Sequence, residues 1–458
     1  MTAQTQTATD LLATDTAHFL HPFTDFAQYK AAPGRTYVRG EGINIIDSEG
    51  RTLLDGMSGL WCTNLGYSQT SIIDAITAQL HALPFYNSFF NCSTDATIEL
   101  AQKMTDILPV GFNHVFFTNS GSEANDTNIR LVHRYFDLLG KPEKKIFISR
   151  KNAYHGSTIA AASLGGMSGM HAQMSALPYV EHIEQPYDFD ADSRLSDDEL
   201  GHRAAQALAQ KIDALGADRV AAFIAEPIQG AGGVIIPPEN YWPQIAAICK
   251  ERDILLISDE VICGFGRTGS MWGCETYGYR PDLITFAKAV TNGYQPLGGV
   301  GVSDKVATVL TTSGGEFAHG FTYSGHPVAC AAGIATVKLY QSSQIVDAVA
   351  KDRQIAWATA VQTLSDHPIV GELKSKGMLM GIELVKNKNT RERLAPESGG
   401  AVYCRNQAIA GGLMVRQVGD RIISAPPLII SDEEMATLVD RLRRALDLTA
   451  QHYGINES

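Results

Sequence analysis

Residues 282–290 read DLITFAKAV, and this apolar run carries a lysine, Lys288, almost at its end. The glycine-containing stretch TNGYQPLGG (291–299) follows at once. A short apolar run that ends at a turn signal is typical of a strand buried on both faces of a sheet. Burying an ammonium group costs free energy unless the group finds a partner or a ligand. Lys288 is therefore the first candidate for a functional residue.

Four similar apolar runs precede this one, and longer amphipathic stretches separate most of them. The runs are HVFFT (114–118), KIFIS (145–149), VAAFIA (220–225) and ILLIS (254–258). Buried strands that alternate with amphipathic helices predict an α/β domain, in which helices cover both faces of a parallel sheet.

The two ends of the chain have a different pattern of apolar and polar residues. INIIDSEGRTLLDG (43–56) predicts two short strands around a turn, and GMLMGIELV (377–385) predicts a further strand. DEEMATLVDRLRRALDLTAQHY (432–453) predicts an amphipathic helix with acids first and arginines later, the order that the helix dipole favours. These segments predict a smaller α/β domain built from both termini. The predicted divisions are an N-terminal segment that joins the small domain (1–60), a large domain (61–334) and a C-terminal small domain (335–458).

Length, charge and cysteine content exclude several classes of protein. The chain has 458 residues and a net charge of −12, which disfavours non-specific binding to nucleic acid. No apolar stretch is long enough to cross a membrane. The seven cysteines are scattered and there is no HExxH pattern, so we expect neither disulfides nor a metal. Residues 1–17, rich in Thr, Ala and Gln, lack a basic start and an apolar core, which predicts a loose tail and a cytoplasmic protein.

Three predicted strands end in a charge. Glu226 follows VAAFIA, Asp259 follows ILLIS, and Lys288 follows LITFA. Successive charges are roughly 30 residues apart, about one strand–helix–strand repeat. Because ligands of open parallel sheets bind beyond the carboxyl ends of the strands, we expect the three charges to share one crevice. Each charge alone is equally compatible with an ordinary strand end that caps the next helix.

A possible anion site lies in FFTNSGSEAND (116–126), between a predicted strand and a predicted helix. Ser120, Gly121 and Ser122 are small enough for the backbone to approach a phosphate, which the helix dipole favours. The same residues are also compatible with a plain helix cap. After the next strand, Tyr154 and His155 offer an aromatic face that could stack on a flat ring, although packing at a strand end is the simpler alternative.

A carboxylate for a pyridine nitrogen, a phosphate cradle, a stacking aromatic and a partly buried lysine together describe a pyridoxal phosphate (PLP) site. At this point the chain resembles the class III aminotransferases of the type I PLP fold, and most closely the branch that transfers amino groups from amines or ω-amino acids to pyruvate. The motifs that carry the resemblance are LLDGMSGLWCTNLGY (53–67), NSGSEAND (119–126), NAYHGST (152–158), AEPIQGAGG (225–233), SDEVICGFGRTG (258–269), FAKAVTNGYQPLGG (286–299), HGFTYSGHPVACAAG (319–333) and GDRIISAPPLII (419–430).

The resemblance implies a large domain with a mostly parallel seven-stranded sheet, and a role for each matching residue. Lys288 becomes the Schiff-base lysine that also moves the proton, and Asp259 the partner of the pyridinium nitrogen. Thr322 is expected to reach the phosphate of the neighbouring subunit, so that two active sites are shared across a homodimer, with pairing into a tetramer left open. The implied cofactor contacts are Ser120, Gly121, Ser122, Tyr154, His155, Glu226, Asp259, Val261, Lys288, Phe321 and Thr322.

The resemblance also implies a substrate pocket. Arg416 matches the mobile arginine that binds the carboxylate of the acceptor, whereas the nearby Arg421 is interpreted as structural. The branches that use 2-oxoglutarate carry a glutamate where this chain has Ala231, and that glutamate neutralises the arginine. Its absence points to pyruvate as the acceptor. The implied substrate contacts are Leu60, Trp61, Phe89, Tyr154, Ala231 and Arg416.

The expected reaction is a ping-pong transamination. A primary amine or ω-amino acid gives its amino group to pyruvate, which leaves as alanine, and the donor leaves as an aldehyde or ketone. The donor could be a diamine, a polyamine, β-alanine or an aryl-alkyl amine. The alternatives are a class III aminotransferase that uses 2-oxoglutarate and an aminomutase of the glutamate-semialdehyde type. A protein that only binds the cofactor is a further alternative, against which Lys288 argues.

Overall fold

The computed structural model describes residues 7–32, 34–190, 195–395 and 398–455. The strands are β1 Tyr37–Glu41, β2 Asn44–Asp47, β3 Thr52–Asp55, β4 His114–Thr118, β5 Ile146–Arg150, β6 Val180–Ile183, β7 Val220–Ala225, β8 Leu255–Asp259, β9 Leu283–Phe286, β10 Gly298–Val302, β11 Val370–Lys376, β12 Leu379–Leu384, β13 Leu413–Met414, β14 Arg416–Val418 and β15 Arg421–Ser424.

The helices surround these strands. They are α1 Ala8–His18, α2 Phe26–Ala31, α3 Ser58–Trp61, α4 Thr70–Ala82, α5 Asp95–Ile107, α6 Gly121–Leu138, α7 Ile159–Leu164, α8 Ser168–His171, α9 Asp197–Leu215, α10 Tyr241–Glu251, α11 Gly273–Thr276, α12 Asp304–Ser313, α13 Pro327–Ser343, α14 Ile345–Ala348, α15 Gln354–Gln362, α16 Gly400–Ala410 and α17 Asp432–His452. A 3₁₀ turn spans Lys288–Thr291, and a π-helical turn at Val349–Arg353 joins α14 to α15.

The central sheet has seven strands in the order β4-β10-β9-β8-β7-β5-β6. Strand β10 is antiparallel to both of its neighbours, and the other paired strands are parallel. Alternate side chains of β7 face opposite layers: Phe223 packs in a cluster with Trp242 of α10, and Ile224 packs in a cluster with Phe136 of α6. Helices thus cover both faces, and the predicted mostly parallel sheet is confirmed.

Two smaller sheets complete the fold. One has the order β1-β2-β3-β13 and the other the order β11-β12-β15-β14. Strand β13 runs parallel to β3, with Leu413 opposite Leu54, so this sheet joins strands from the two ends of the chain. The domain boundaries near residues 60 and 334 stay predictions.

The predicted loose tail is wrong for Ala8–His18, which forms helix α1. The Thr7 hydroxyl accepts a hydrogen bond from the Asp10 N–H, and the Asp10 carboxylate accepts one from the Thr7 N–H, each at 3.2 Å. This capping box is the signal that the prediction overlooked. Residues 1–6 lie outside the described part of the chain.

Two further observations concern the whole described chain. All seven cysteines are free thiols, and five of them are buried. Within the residues described, no helix combines the length and apolar character needed to span a bilayer.

Candidate active site

The three charges predicted to share a crevice do so. Strands β7, β8 and β9 are parallel neighbours. Glu226 comes directly after β7, Asp259 is the last residue of β8, and Lys288 lies two residues beyond β9. A cavity of about 470 Å³ opens at this edge of the sheet. Nine predicted residues line it: Ser120, Gly121, Ser122, Tyr154, His155, Glu226, Asp259, Val261 and Lys288.

The Asp259 carboxylate is 3% exposed and is held in a fixed orientation. Its Oδ2 accepts a hydrogen bond from Asn125 Nδ2 at 2.8 Å and lies 2.8 Å from His155 Nδ1. Its Oδ1 accepts only the Val261 N–H, at 3.2 Å, among the described residues. A carboxylate oxygen has room for a further donor, so Asp259 can accept one from a group inside the cavity.

Asn125 organises the layer beneath Asp259. The same amide nitrogen donates to the His155 carbonyl at 2.7 Å, and Oδ1 accepts from the Thr285 hydroxyl at 2.8 Å and from Asn128 at 3.0 Å. Helix α6 therefore fixes the carboxylate through one fully buried amide. A buried amide whose nitrogen and oxygen both have partners keeps its orientation, because an alternative rotamer would leave one of them unpaired.

Helix α6 begins at the rim of the cavity, with Ser120 as its N-cap. The first N–H groups of a helix have no partner within the helix and favour an anion. Space at this end is tight: a Cβ on Gly121 would lie 3.0 Å from Val261 Cγ2, and one on Gly156 would lie 2.5 Å from Ser122 Oγ. Small residues are required here for the backbone to line the cavity.

Glu226 is held by backbone donors. Its Oε1 accepts the Tyr154 N–H at 3.1 Å and its Oε2 accepts the Gly230 N–H at 2.8 Å. Burial raises the pKa of this carboxyl group. Tyr154 itself is half-buried on the cavity wall.

Lys288 is half-buried and has a left-handed backbone, with φ of 51°. Burial lowers the pKa of its ammonium group, whereas the nearby carboxylates of Asp259 and Glu226 act in the opposite direction. Its Nζ lies 4.9 Å from the centre of the Trp61 ring. A backbone in a rarely populated region at a cavity wall is typical of a functional residue.

Arg416 also lies over the Trp61 ring, with Cζ 5.3 Å from the ring centre. Burial lowers the pKa of its guanidinium group. Within the described residues it has neither an ion pair nor a side-chain hydrogen bond. Arg421, in contrast, is 5% exposed and pairs with Glu383 Oε2 at 3.0 Å, as its structural interpretation predicted.

Comparison with known proteins agrees with this site. The family model described as "Aminotransferase class-III" matches residues 27–446. This chain is a class III aminotransferase.

Two relatives and one solved structure illustrate the similarity. The putrescine–pyruvate aminotransferase of Pseudomonas aeruginosa is 48% identical over 94% of this chain and 95% of its own length. Gamma aminobutyrate transaminase 3 of Solanum lycopersicum is 41% identical over 97% of this chain and 87% of its own length. The crystal structure of the ω-transaminase from Pseudomonas jessenii in complex with PMP superposes with a TM-score of 0.95 at 39% identity, covering 97% of this chain and 99% of that one.

Enzymes of this class depend on PLP, and the cavity of this aminotransferase fits the cofactor. The start of α6 offers unpartnered N–H groups to a phosphate. Asp259 Oδ1 has a free acceptor position for a protonated ring nitrogen. Lys288 supplies an amine at the end of β9. The type I fold expected from the sequence is thereby confirmed.

Seven residues expected at the site lie outside this cavity. Ala231 is buried in the loop after β7. Leu60 is half exposed and lines a second cavity with Arg416, whereas Phe89 lines a third one with His319. The others are Trp61, Arg416, Phe321 and Thr322, of which Trp61 and Arg416 approach the cavity through the ring contacts with Lys288 and with each other.

The structure adds residues to the aminotransferase site that sequence reasoning missed. Asn125 was overlooked although a polar residue on the buried face of an amphipathic helix is an unusual signal. Cys62 lines the cavity close to Gly293, where an added Cβ would lie 3.1 Å from the cysteine Cβ. The other additions are Asn119, Gly156, Ala287, Gly293, Gln295, Pro296 and Leu297, and Ile262 lines the cavity as well.

Proposed function

We propose that this enzyme transfers an amino group from a primary amine or an ω-amino acid to pyruvate, giving alanine and an aldehyde or ketone. The observation that carries the proposal is the Arg416 guanidinium, which has no ion pair with any described residue and lies on the Trp61 ring, with Lys288 on the same ring. An arginine without an internal carboxylate is free to bind the carboxylate of an acceptor in a bidentate manner. The similarity to a putrescine–pyruvate aminotransferase supports pyruvate as that acceptor.

Lys288 is the proton carrier of the reaction. When bound, PLP supplies an electron sink for the negative charge that develops at the amine-bearing carbon. Because burial lowers the pKa of Lys288, its Nζ is neutral more readily and can take the proton from that carbon and later return it. The negative charge of Asp259, fixed by Asn125, favours the protonated ring nitrogen that this chemistry needs.

The Trp61 ring explains how the positive charge of Arg416 is tolerated without a glutamate at position 231. The face of an indole ring attracts a cation by about 0.5–2 kcal/mol. A bidentate contact with a carboxylate is stronger, since hydrogen bonds between charged groups are about twice as strong as neutral ones. Arg416 therefore rests on Trp61 when no acceptor is bound and leaves it for the carboxylate of pyruvate, whereas an internal glutamate would compete with the acceptor.

The donor is a primary amine whose chain meets aromatic surface. Trp61, Tyr154 and Leu60 are proposed to shape its pocket, with Phe89 contributed across a subunit interface. This surface tolerates apolar groups without selecting among diamines, ω-amino acids and aryl-alkyl amines. The relatives include proteins named for putrescine and for gamma aminobutyrate, which are both amines of this kind.

The active sites are proposed to be shared in a homodimer. Thr322 is exposed, and Phe321 lies outside the cavity of its own chain. The exposed rings of Phe85 and Tyr323, 5.5 Å apart, extend this surface. A partner chain that covers these aromatic rings would bring its Thr322 to the phosphate position. The assembly of dimers into tetramers and the cytoplasmic location stay predictions.

The test follows the two half-reactions separately. The enzyme with bound PLP receives a panel of amines, and the absorbance of the cofactor reports amino transfer. After removal of the carbonyl product, pyruvate or 2-oxoglutarate is added. We expect loss of the original absorbance with a primary amine and its recovery with pyruvate. Recovery with 2-oxoglutarate alone would overturn the acceptor. Loss and return of the signal with the amine alone, without consumption of a keto acid, would favour the aminomutase.

A further inference from the structure

Three arginines surround a second cavity, of about 310 Å³, beside the active site. Arg35 comes from the segment before β1, Arg405 from α16 and Arg416 from the start of β14. The seven other lining residues are apolar, glycine or asparagine, so no carboxylate of the described ranges lines this space. Three cations without an acidic residue make the cavity a site of positive potential.

None of the three guanidinium groups is neutralised within the described chain. Arg405 bonds only to the Asn406 side-chain oxygen, through Nε at 3.2 Å and Nη2 at 2.9 Å. In the described ranges neither Arg35 nor Arg416 forms an ion pair or a side-chain hydrogen bond, and the Arg416 guanidinium lies over the Trp61 ring. The chain carries 49 acidic and 37 basic residues, so a shortage of acids does not explain this.

The like charges act on each other. Burial, and then the charge of Arg35, lower the pKa of Arg405. Repulsion between Arg35 and Arg405 is relieved by an anion bound beside them. Guanidinium groups match oxyanions with two parallel hydrogen bonds, so the ligand chemistry is a small carboxylate or phosphate.

We propose that Arg35 and Arg405 form an outer anion site that captures the carboxylate of the keto-acid acceptor before Arg416 takes it to the active site. This inference rests on the proposed function. Arg416 connects the outer cavity with the active site. It lines the outer cavity and contacts the Trp61 ring, which also contacts Lys288. A keto acid held in the outer site meets Arg416 already oriented by its carboxylate. Neutral acceptors gain nothing from this site.

The experiment compares the parent enzyme with the double variant Arg35→Gln, Arg405→Gln. The cofactor is first converted to its amino form with a donor, and the return reaction is followed by absorbance with pyruvate or with a neutral aldehyde. At low ionic strength we expect the ratio of the pyruvate to the aldehyde kcat/KM to fall about tenfold, since clefts of one sign raise association rates by about 10–10³-fold. Raising the salt to about 0.3 M should reduce the difference to about twofold, because salt screens exposed charges.

Matched variants separate the site from a general effect of charge. Arg39→Gln removes an exposed arginine that lies 3.8 Å from Glu41 and lines neither cavity, and it should leave the ratio unchanged. Arg405→Lys keeps the charge and should retain most of the effect. Thermal midpoints are measured for every variant, so that a misfolded protein is recognised.

Inorganic phosphate distinguishes the two sources of oxyanion. We expect phosphate to inhibit the parent in competition with pyruvate and to lose this inhibition in the double variant. Phosphate binding to the parent without any competition would make the cavity a phosphate site and overturn the proposal. An unchanged ratio and salt dependence in a folded double variant would overturn it too, as would equal losses with both acceptors. If the parent itself does not react with pyruvate, the proposed function fails instead.

Discussion

Replacing Asn125 with alanine removes the amide that orients the active-site carboxylate. The side chain is fully buried and takes part in four hydrogen bonds, to Asp259, the His155 carbonyl, Thr285 and Asn128. Asn128 still donates to Thr285 at 2.7 Å after the change, but the Thr285 hydroxyl and a second Asn128 N–H lose their acceptor. The His155 carbonyl loses this donor, and Asp259 Oδ2 keeps its contact with His155 Nδ1 at 2.8 Å.

The magnitude follows from these losses. A buried donor or acceptor that is left without a partner costs about 1–3 kcal/mol. We expect Asn125→Ala to lower the free energy of unfolding of the apoenzyme by about 3 kcal/mol. A less firmly held Asp259 should also weaken PLP binding about tenfold, which corresponds to about 1.4 kcal/mol.

The assay combines urea unfolding of the apoenzyme with a titration of PLP followed by absorbance. Asn113→Ala is the matched control, because this asparagine is exposed and its amide donates to Asp304 at 2.9 and 3.0 Å. A surface substitution of this type should stay within about 0.5 kcal/mol of the parent.

A second substitution separates hydrogen bonding from packing. Asn125→Asp keeps the size of the side chain but turns the donor toward Asp259 into a carboxylate. If the hydrogen bond matters, this variant is at least as unstable as Asn125→Ala and recovers as the pH falls, since protonation removes the repulsion between two buried carboxylates. A loss below about 1 kcal/mol in both variants, with unchanged PLP affinity, would refute the role assigned to Asn125.

Three further predictions concern charged residues of the site. Lys288→Ala should abolish turnover and covalent cofactor attachment. The control Lys338→Ala, which changes an exposed lysine paired with Glu99 at 2.9 Å, should retain both. Full turnover in the Lys288 variant would contradict the assignment of Lys288 as the catalytic lysine. Arg416→Ala should lower kcat/KM for pyruvate by about 30–150-fold, the effect of about 2–3 kcal/mol from a charged bidentate contact. It should change the aldehyde reaction by less than about threefold, and equal losses with both acceptors would make Arg416 structural. Burial lowers the pKa of Lys288, so its neutral amine becomes the main form at a pH below the ordinary lysine pKa of 10.5. The rate of PLP attachment to the apoenzyme should therefore rise with pH, with the midpoint of this rise below 10.5. A midpoint at or above 10.5 contradicts the burial effect.

The sequence carried enough information for the sheet and for the residues at its carboxyl edge. Regular spacing of Glu226, Asp259 and Lys288 implied neighbouring strands, and parallel pairing then brought them together. This inference worked because each charge interrupts an apolar run at the same point of a repeated unit. Helix α1 was not predicted from the sequence. None of its residues is buried, so no apolar periodicity marks the helix, and its capping box was overlooked.

The surroundings of Trp61 could not be derived from local propensity. Ser58 and Trp61 have φ values of 49° and 59°, in the left-handed region that serine and tryptophan rarely adopt. Tertiary contacts impose this conformation: the buried Ser58 hydroxyl donates to the Ala425 carbonyl at 2.7 Å, across most of the chain length. The role of Asn125 was not predicted for a related reason, since it depends on which strand end lies beside helix α6.

The pairing of the arginines separates structural from ligand-binding roles in this fold. Arg421 pairs with Glu383, and the fully buried Arg267 is satisfied by groups such as the Asn64 side-chain oxygen at 2.5 Å. Removing a cation from water is tolerated in both cases because the protein supplies the partner. Arg416 and Arg405 are also partly buried, yet no carboxylate of the described chain approaches them. Because Arg416 and Arg405 line a cavity, an anion that arrives with the substrate can supply the charge partner that the described chain does not.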